Sequence, residues 1–162
     1  MIASQRILIL CIGNILLLDE GFGPQVAEQL LAQYSLPPQV TVLDRGVLGM
    51  AILADLRQAD QVLIIDALDN TGQAAGTIMS FKPEDLANHQ VFHGAHDIQI
   101  VDVLHAAALL GVNPEVSCLG VQIENLSPES FQIGLTPAVQ AAVPLMVELI
   151  VAWLAERGVQ LK

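Results

Sequence analysis

Runs of consecutive apolar residues alternate in this chain with segments whose apolar positions recur every three or four residues. The first run, Ile7-Leu8-Ile9-Leu10-Cys11-Ile12, has no charged member, which predicts a central strand covered on both faces of a parallel sheet. After a loop, Gly23 and Pro24 supply a helix start with proline at the first position. Val26, Ala27, Leu30 and Leu31 then recur at helical spacing opposite Gln25, Glu28 and Gln29. This helix is expected to end near Tyr34, ahead of Pro37-Pro38.

Residues 40–43 predict a second strand ending at Asp44, and residues 48–56 a short helix. Residues 61–65 predict a third strand ending at Asp66. Residues 77–81 predict a fourth, reached through the turn-rich Asp69-Asn70-Thr71-Gly72 and followed by an exposed connection over residues 82–90. A helix is expected over residues 98–110, stopped by Gly111, and a last strand over residues 116–121. The loop at 124–136 carries Pro128 and Gly134 and is long enough to suggest a functional role. Thr136-Pro137 opens a final helix to about Arg157. With no internal repeat and no linker, the pattern predicts one α/β domain over residues 1–162. It is expected to be a three-layer sandwich with a mostly parallel, twisted sheet of about five strands and helices on both faces.

Composition narrows the function. The chain is 53% hydrophobic and 14% charged, enough apolar residue for a sizeable core and unlike a disordered segment. Six basic against 17 acidic residues give a net charge of −11, a field that repels nucleic-acid phosphate and anionic lipid. Aromatic residues at 4% argue against a stacking platform for single strands. Cys11 and Cys118 lie in apolar runs without metal or redox spacing, which fits free thiols in a reducing cytoplasm. The run at 7–12 imitates a signal peptide, but Gly13 and Asn14 interrupt it and Asp19-Glu20 follows, so a mature N-terminus is expected. Residues 138–155 are apolar enough to raise a membrane span. Gln140, Pro144 and Glu148 fall inside them, and a buried helix is the expectation.

Ligands of open parallel sheets bind outside the carboxyl ends of the strands. Asp44 and Asp66 follow apolar strands, and Glu20 lies in the loop after the first, so three carboxylates are candidates for one edge. Acids gathered in a partly buried cleft raise each other's pKa unless a cation or hydrogen bonds compensate. His96, just before a helix, belongs to the same edge. An Asp, Glu and His set offers two oxygen ligands and one imidazole nitrogen, which suits zinc or nickel and leaves coordination positions open. The bland alternative is that Asp44 and Asp66 cap helices or satisfy loop amides. His93 and His96 lack the Cys or His partners of a zinc finger, His89 lies in a polar loop, and His105 is inside a helix among alanines. Cys11 in an apolar strand is poorly placed to be a nucleophile. Gly13, Gly21 and Gly23 invite a dinucleotide-binding reading, with Asp44 as the ribose acid, but their spacing does not make G-x-G-x-x-G. Asp19 and Glu20 would also face the pyrophosphate.

The run Ile12-Gly13-Asn14 to Leu17-Leu18-Asp19-Glu20-Gly21-Phe22-Gly23 resembles the N-terminal signature of the nickel-iron hydrogenase maturation proteases. Asp44-Arg45-Gly46 to Gly49 resembles that family's acidic glycine turn, and Leu63-Ile64-Ile65-Asp66-Ala67 its acid-ended strand. Ala95-His96 to Asp102-Val103-Leu104 resembles its histidine helix, and Leu119-Gly120-Val121-Gln122 to Gly134-Leu135-Thr136-Pro137 its last strand and loop. Three positions depart from the pattern: Cys11 and Arg45 stand where glycine is frequent, and Glu20 where many members have aspartate.

The resemblance implies an endopeptidase that removes the C-terminal peptide of the hydrogenase large-subunit precursor once nickel is inserted. It implies Glu20, Asp66 and His96 as ligands to nickel presented by the substrate, with other divalent ions able to occupy the site in vitro. Asp66, then Glu20, is the candidate for activating water. The implied partner is the nickel-loaded precursor, with no nucleic acid and no membrane, in the cytoplasm. A non-catalytic nickel chaperone docking through the same acids is the alternative, and Arg45 and the 124–136 loop are candidate determinants of client choice.

Overall fold

The computed structural model describes residues 5–45, 49–85, 99–124 and 131–162. Strands β1 (Ile7–Ile12), β2 (Val40–Arg45), β3 (Gln61–Leu68), β4 (Ile78–Phe81) and β5 (Glu115–Gln122) form one sheet in the order β2-β1-β3-β5-β4. β4 runs antiparallel to β5, and the other pairings are parallel. Helices α1 (Phe22–Gln33), α2 (Ile52–Leu56), α3 (Ile100–Leu109) and α4 (Pro137–Glu156) cover the two faces.

Alternation along β1 divides the core. Ile7, Ile9 and Cys11 join Val26, Leu30, Val143 and Ile150, and so pack under α1 and α4. Leu8, Leu10 and Ile12 join Ile52, Leu56, Ile100 and Val103 under α2 and α3. Every residue of β1 and β3 is buried, the condition that lets a continuous apolar run persist in a strand with helices on both sides. Each buried Ile or Leu contributes roughly 1.5–3 kcal/mol by leaving water, so these two strands anchor the positions of the loops at their carboxyl ends. The expected three-layer sandwich with five strands is the one observed.

Several boundaries differ from the expectation. β3 continues through Ala67 and Leu68, which pair with Val121 and Gln122 of β5, so Asp66 lies inside the strand rather than at its end. β2 likewise continues to Arg45, paired with Ile12, and includes Asp44. The short helix begins at Ile52, and the expected start at residue 48 lies outside the described residues. Helix α3 opens with a capping box, in which the Gln99 side chain accepts from the Asp102 backbone amide and Asp102 Oδ2 accepts from the Gln99 amide at 3.1 Å.

Helix α4 is long and apolar enough to cross a membrane by length and composition alone. It packs on the sheet instead, burying Val139, Ala142, Val143, Met146, Val147, Ile150 and Leu154 along one face. Pro137 occupies its first turn, where a missing amide hydrogen costs nothing.

Candidate active site

The chain leaves β1 toward α1 on one face of the sheet, and α2 leads into β3 from the other face. β1 and β3 are neighbours, so the switch point of the topology opens between their carboxyl ends, where α/β sheets bind ligands. Glu20 and Asp66 belong to that place.

Glu20 is carried by a 3₁₀ turn (Leu18–Gly21) that packs against β3. Local hydrogen bonds fix the turn. The Asn14 amide donates to the Glu20 carbonyl at 3.0 Å, the Glu20 amide donates to the Leu17 carbonyl at 3.2 Å, and Asn14 Oδ1 accepts from the Leu16 amide at 3.0 Å. Gly13 has a φ of +152°, and a Cβ there would strike the Glu20 carbonyl oxygen, so only glycine lets the chain fold back this closely. The Glu20 side chain is buried, at 5% exposure.

Asp66 is 7% exposed, and its Oδ1 accepts from the Ala67 amide at 2.8 Å. By alternation with Val62, Ile64 and Leu68 it belongs to the face under α2 and α3. Directly opposite it on β5 is Gly120, where a Cβ would come within 2.5 Å of Leu68 Cδ1 and 2.9 Å of Phe81 Cε1. Glycine at 120 therefore leaves room for the Leu68 and Phe81 side chains beside Asp66 on the sheet.

Asp44 does not join them. It pairs with Cys11 and alternates with Val40 and Val42, which places it on the α1 and α4 face, opposite to Asp66. Its carboxyl is pushed above the usual value by partial desolvation. The two cysteines report the same division. Burial, then the Asp44 carboxylate, push the Cys11 thiol from 9.0 to about 12. Burial, followed by Asp66, Glu84 and Asp85, push Cys118 to about 12 as well. Neither is a thiolate at neutral pH, which removes Cys11 as a nucleophile. Arg45 donates from Nη2 to Asp55 Oδ2 at 2.8 Å, tying the end of β2 to α2. That contact gives Arg45 a structural task beyond the client choice suggested by sequence.

Asp19, not a candidate from sequence, is fully buried and holds two loops together. Its Oδ1 accepts from the Thr136 amide at 2.7 Å and from Thr136 Oγ1 at 2.9 Å, and its Oδ2 accepts from the Glu124 amide at 3.0 Å. The loop after β1 is thereby fastened to the loop after β5 and to the start of α4. A second tie is the parallel bridge between Leu17 and Gln132, in which the Leu18 amide donates to the Gln132 carbonyl at 2.8 Å. The signal in the sequence was the pair Asp19-Glu20 itself. Both are buried, and nothing local says which of the two ties the loops together.

His96 lies outside the described residues, as do His89 and His93. Among the described residues no three His, Cys, Asp or Glu side chains form a metal-holding cluster. His105 is exposed on α3, away from a ligand role at the switch point.

The family model described as hydrogenase maturation protease matches residues 24–153. This chain belongs to the hydrogenase maturation protease family. The Hydrogenase 2 maturation protease of Escherichia coli is 38% identical over 160 residues, covering 96% of this chain and 94% of that protein. A hydrogenase expression/formation protein of Azotobacter vinelandii is 36% identical over 162 residues, covering 96% and 75%. The solved structure of a hydrogenase maturating endopeptidase from E. coli matches with a TM-score of 0.79 at 37% identity, over 96% of both chains. A hydrogenase maturation protease is a peptidase, so the reaction class of this chain is peptide-bond hydrolysis. The family match includes Asp66 and begins after Glu20.

Proposed function

We propose that this chain removes the C-terminal peptide of a nickel-iron hydrogenase large-subunit precursor, in the cytoplasm, and reads the client's inserted nickel through Glu20, Asp66 and His96. The observation that carries the reading is the burial of two carboxylates, Glu20 and Asp66, on two packed elements at the switch point. Buried acids are costly in a fold with no use for them. Two carboxylates with an imidazole offer donors that suit nickel and leave room for the ligands the ion brings with the substrate.

In the hydrolytic step Asp66, with Glu20 as second candidate, takes a proton from a water molecule. The water oxygen attacks the scissile carbonyl carbon, the C–N bond breaks, and the proton passes to the leaving amine. The products are a new carboxylate on the large subunit and a short released peptide. Removing the peptide lets the subunit close over its metal site.

The test is mass spectrometry of nickel-loaded and nickel-free precursor after incubation with the protein. The expected outcome is loss of the C-terminal peptide from the loaded sample alone. Equal trimming of both removes nickel reading, and tight binding without any peptide release replaces the protease reading with a chaperone. Alanine at Glu20, Asp66 or His96 is expected to abolish trimming while the fold remains, and wild-type rates in all three variants would remove the site.

A further inference from the structure

The mouth of the site carries an apolar lip that catalysis does not use. Ile15 and Leu16 are 47% and 41% exposed, and Phe131 and Ile133 are each 76% exposed. The two pairs come from loops far apart in sequence. The bridge between Leu17 and Gln132, together with the Gln132 amide donating to the Leu16 carbonyl at 2.9 Å, sets the loops side by side at one strand spacing. The bridge thus gathers four exposed apolar residues on two adjoining loops, and exposed apolar surface gathered in one place marks a contact site.

Two further observations define the occupant. Residues 13–18 and 131–136 contain no charged side chain, in a chain with 23 charged residues and a net charge of −11. The patch also runs without interruption into the turn that holds Glu20, and its second loop ends at Thr136, on the Asp19 clamp. A polypeptide whose scissile bond lies at the acids must continue past this lip. Resting on the function proposed above, we infer that the lip formed by Ile15, Leu16, Phe131 and Ile133 seats an uncharged, apolar segment of the precursor chain next to the bond that is cut.

Burial of Phe131 and Ile133 against the client supplies affinity without touching the reacting atoms, so the lip acts on substrate binding and not on the chemical step. The experiment compares wild type with the double variant Phe131→Ser/Ile133→Ser, using nickel-loaded precursor and measuring both trimming kinetics and precursor affinity by titration. KM and Kd are expected to rise at least about tenfold with kcat unchanged, since each exposed apolar side chain lost removes part of a transfer free energy. The conservative pair Phe131→Leu/Ile133→Val is expected to stay within about threefold of wild type, because most apolar area remains. Both positions are exposed, so equal melting temperatures verify that the variants fold.

Unchanged KM and Kd in the serine variant overturn the lip. So does a wild type that is dimeric through these residues and a monomeric serine variant that binds precursor normally, which would make the patch a contact between copies. If wild type trims nothing, the protease reading falls. The titration still decides the lip: weaker binding by the serine variant upholds it, and equal binding overturns it.

Discussion

Asp66 and Gly120 face each other on β3 and β5, and the missing side chain at 120 leaves Leu68 and Phe81 pressed close to where a Cβ would be. Gly120→Ala is therefore expected to lower stability by about 1–3 kcal/mol, the range for overpacking a filled interior. The same variant is expected to trim precursor more slowly, because the strand shift that relieves the clash moves Asp66. Urea unfolding measures the first effect and a processing assay the second. An unchanged midpoint would mean that Leu68 and Phe81 give way freely.

Asp66→Asn separates function from stability. The amide oxygen can still accept from the Ala67 amide, while the buried negative charge is gone. Trimming is expected to fall at least about 100-fold, the lower end for losing a general base. The melting temperature should hold or rise, as happens where a site is kept at a cost to the fold. A fall in melting temperature with normal trimming would make Asp66 a structural residue.

Asp19→Ala is expected to be among the most damaging single changes. It strands the Thr136 and Glu124 amides, each of which now donates, in a partly buried setting, to the buried Asp19 carboxylate. Hydrogen bonds of that kind contribute about 1.5–3 kcal/mol each, so a loss on the order of 2–5 kcal/mol should appear in denaturant unfolding. Hydrogen exchange is expected to speed up at both loops together.

The thiols give the chain a defined alkaline limit. Cys11 and Cys118 are raised from 9.0 to about 12 in the folded state, first by burial and then by nearby carboxylates. The folded chain thus holds these protons more tightly than the unfolded chain. Their contribution is complete below pH 9 and is lost as pH rises from about 9 toward about 12. Melting temperature should drop through that window, and the double variant Cys11→Ala/Cys118→Ala should drop less steeply from a lower starting value. Iodoacetamide is expected to label neither thiol in the native protein at neutral pH and both after unfolding.

The sheet was legible because β1 and β3 are the two interior strands whose runs carry no break in apolar character up to Ile12 and Ile65. The apolar pattern alone ends β3 at Asp66, because an acid inside a doubly covered strand contradicts it. The strand in fact goes on, with Ala67 and Leu68 paired to β5. Local propensity yielded to tertiary pairing there, which is the usual mark of a working residue. The side of the sheet on which Asp44 emerges was not legible, since it depends on the register that sets it opposite Cys11. The role of Asp19 was hidden for a similar reason: its partner Thr136 is 117 positions away, and no local pattern links an acid to an amide over that distance. The packing of the final helix is legible because Gln140, Pro144 and Glu148 interrupt its apolar length.

The buried clamp at Asp19 gives the two walls of the cleft a common hinge pin. On the function and the lip proposed above, a client that presses on Phe131 pushes against the same tied loops that carry Glu20, so gripping the chain and aligning the cut become mechanically one event. Selection for a different client can then reshape the outer rim by substitution at exposed positions, while the pin preserves the aim of the blade.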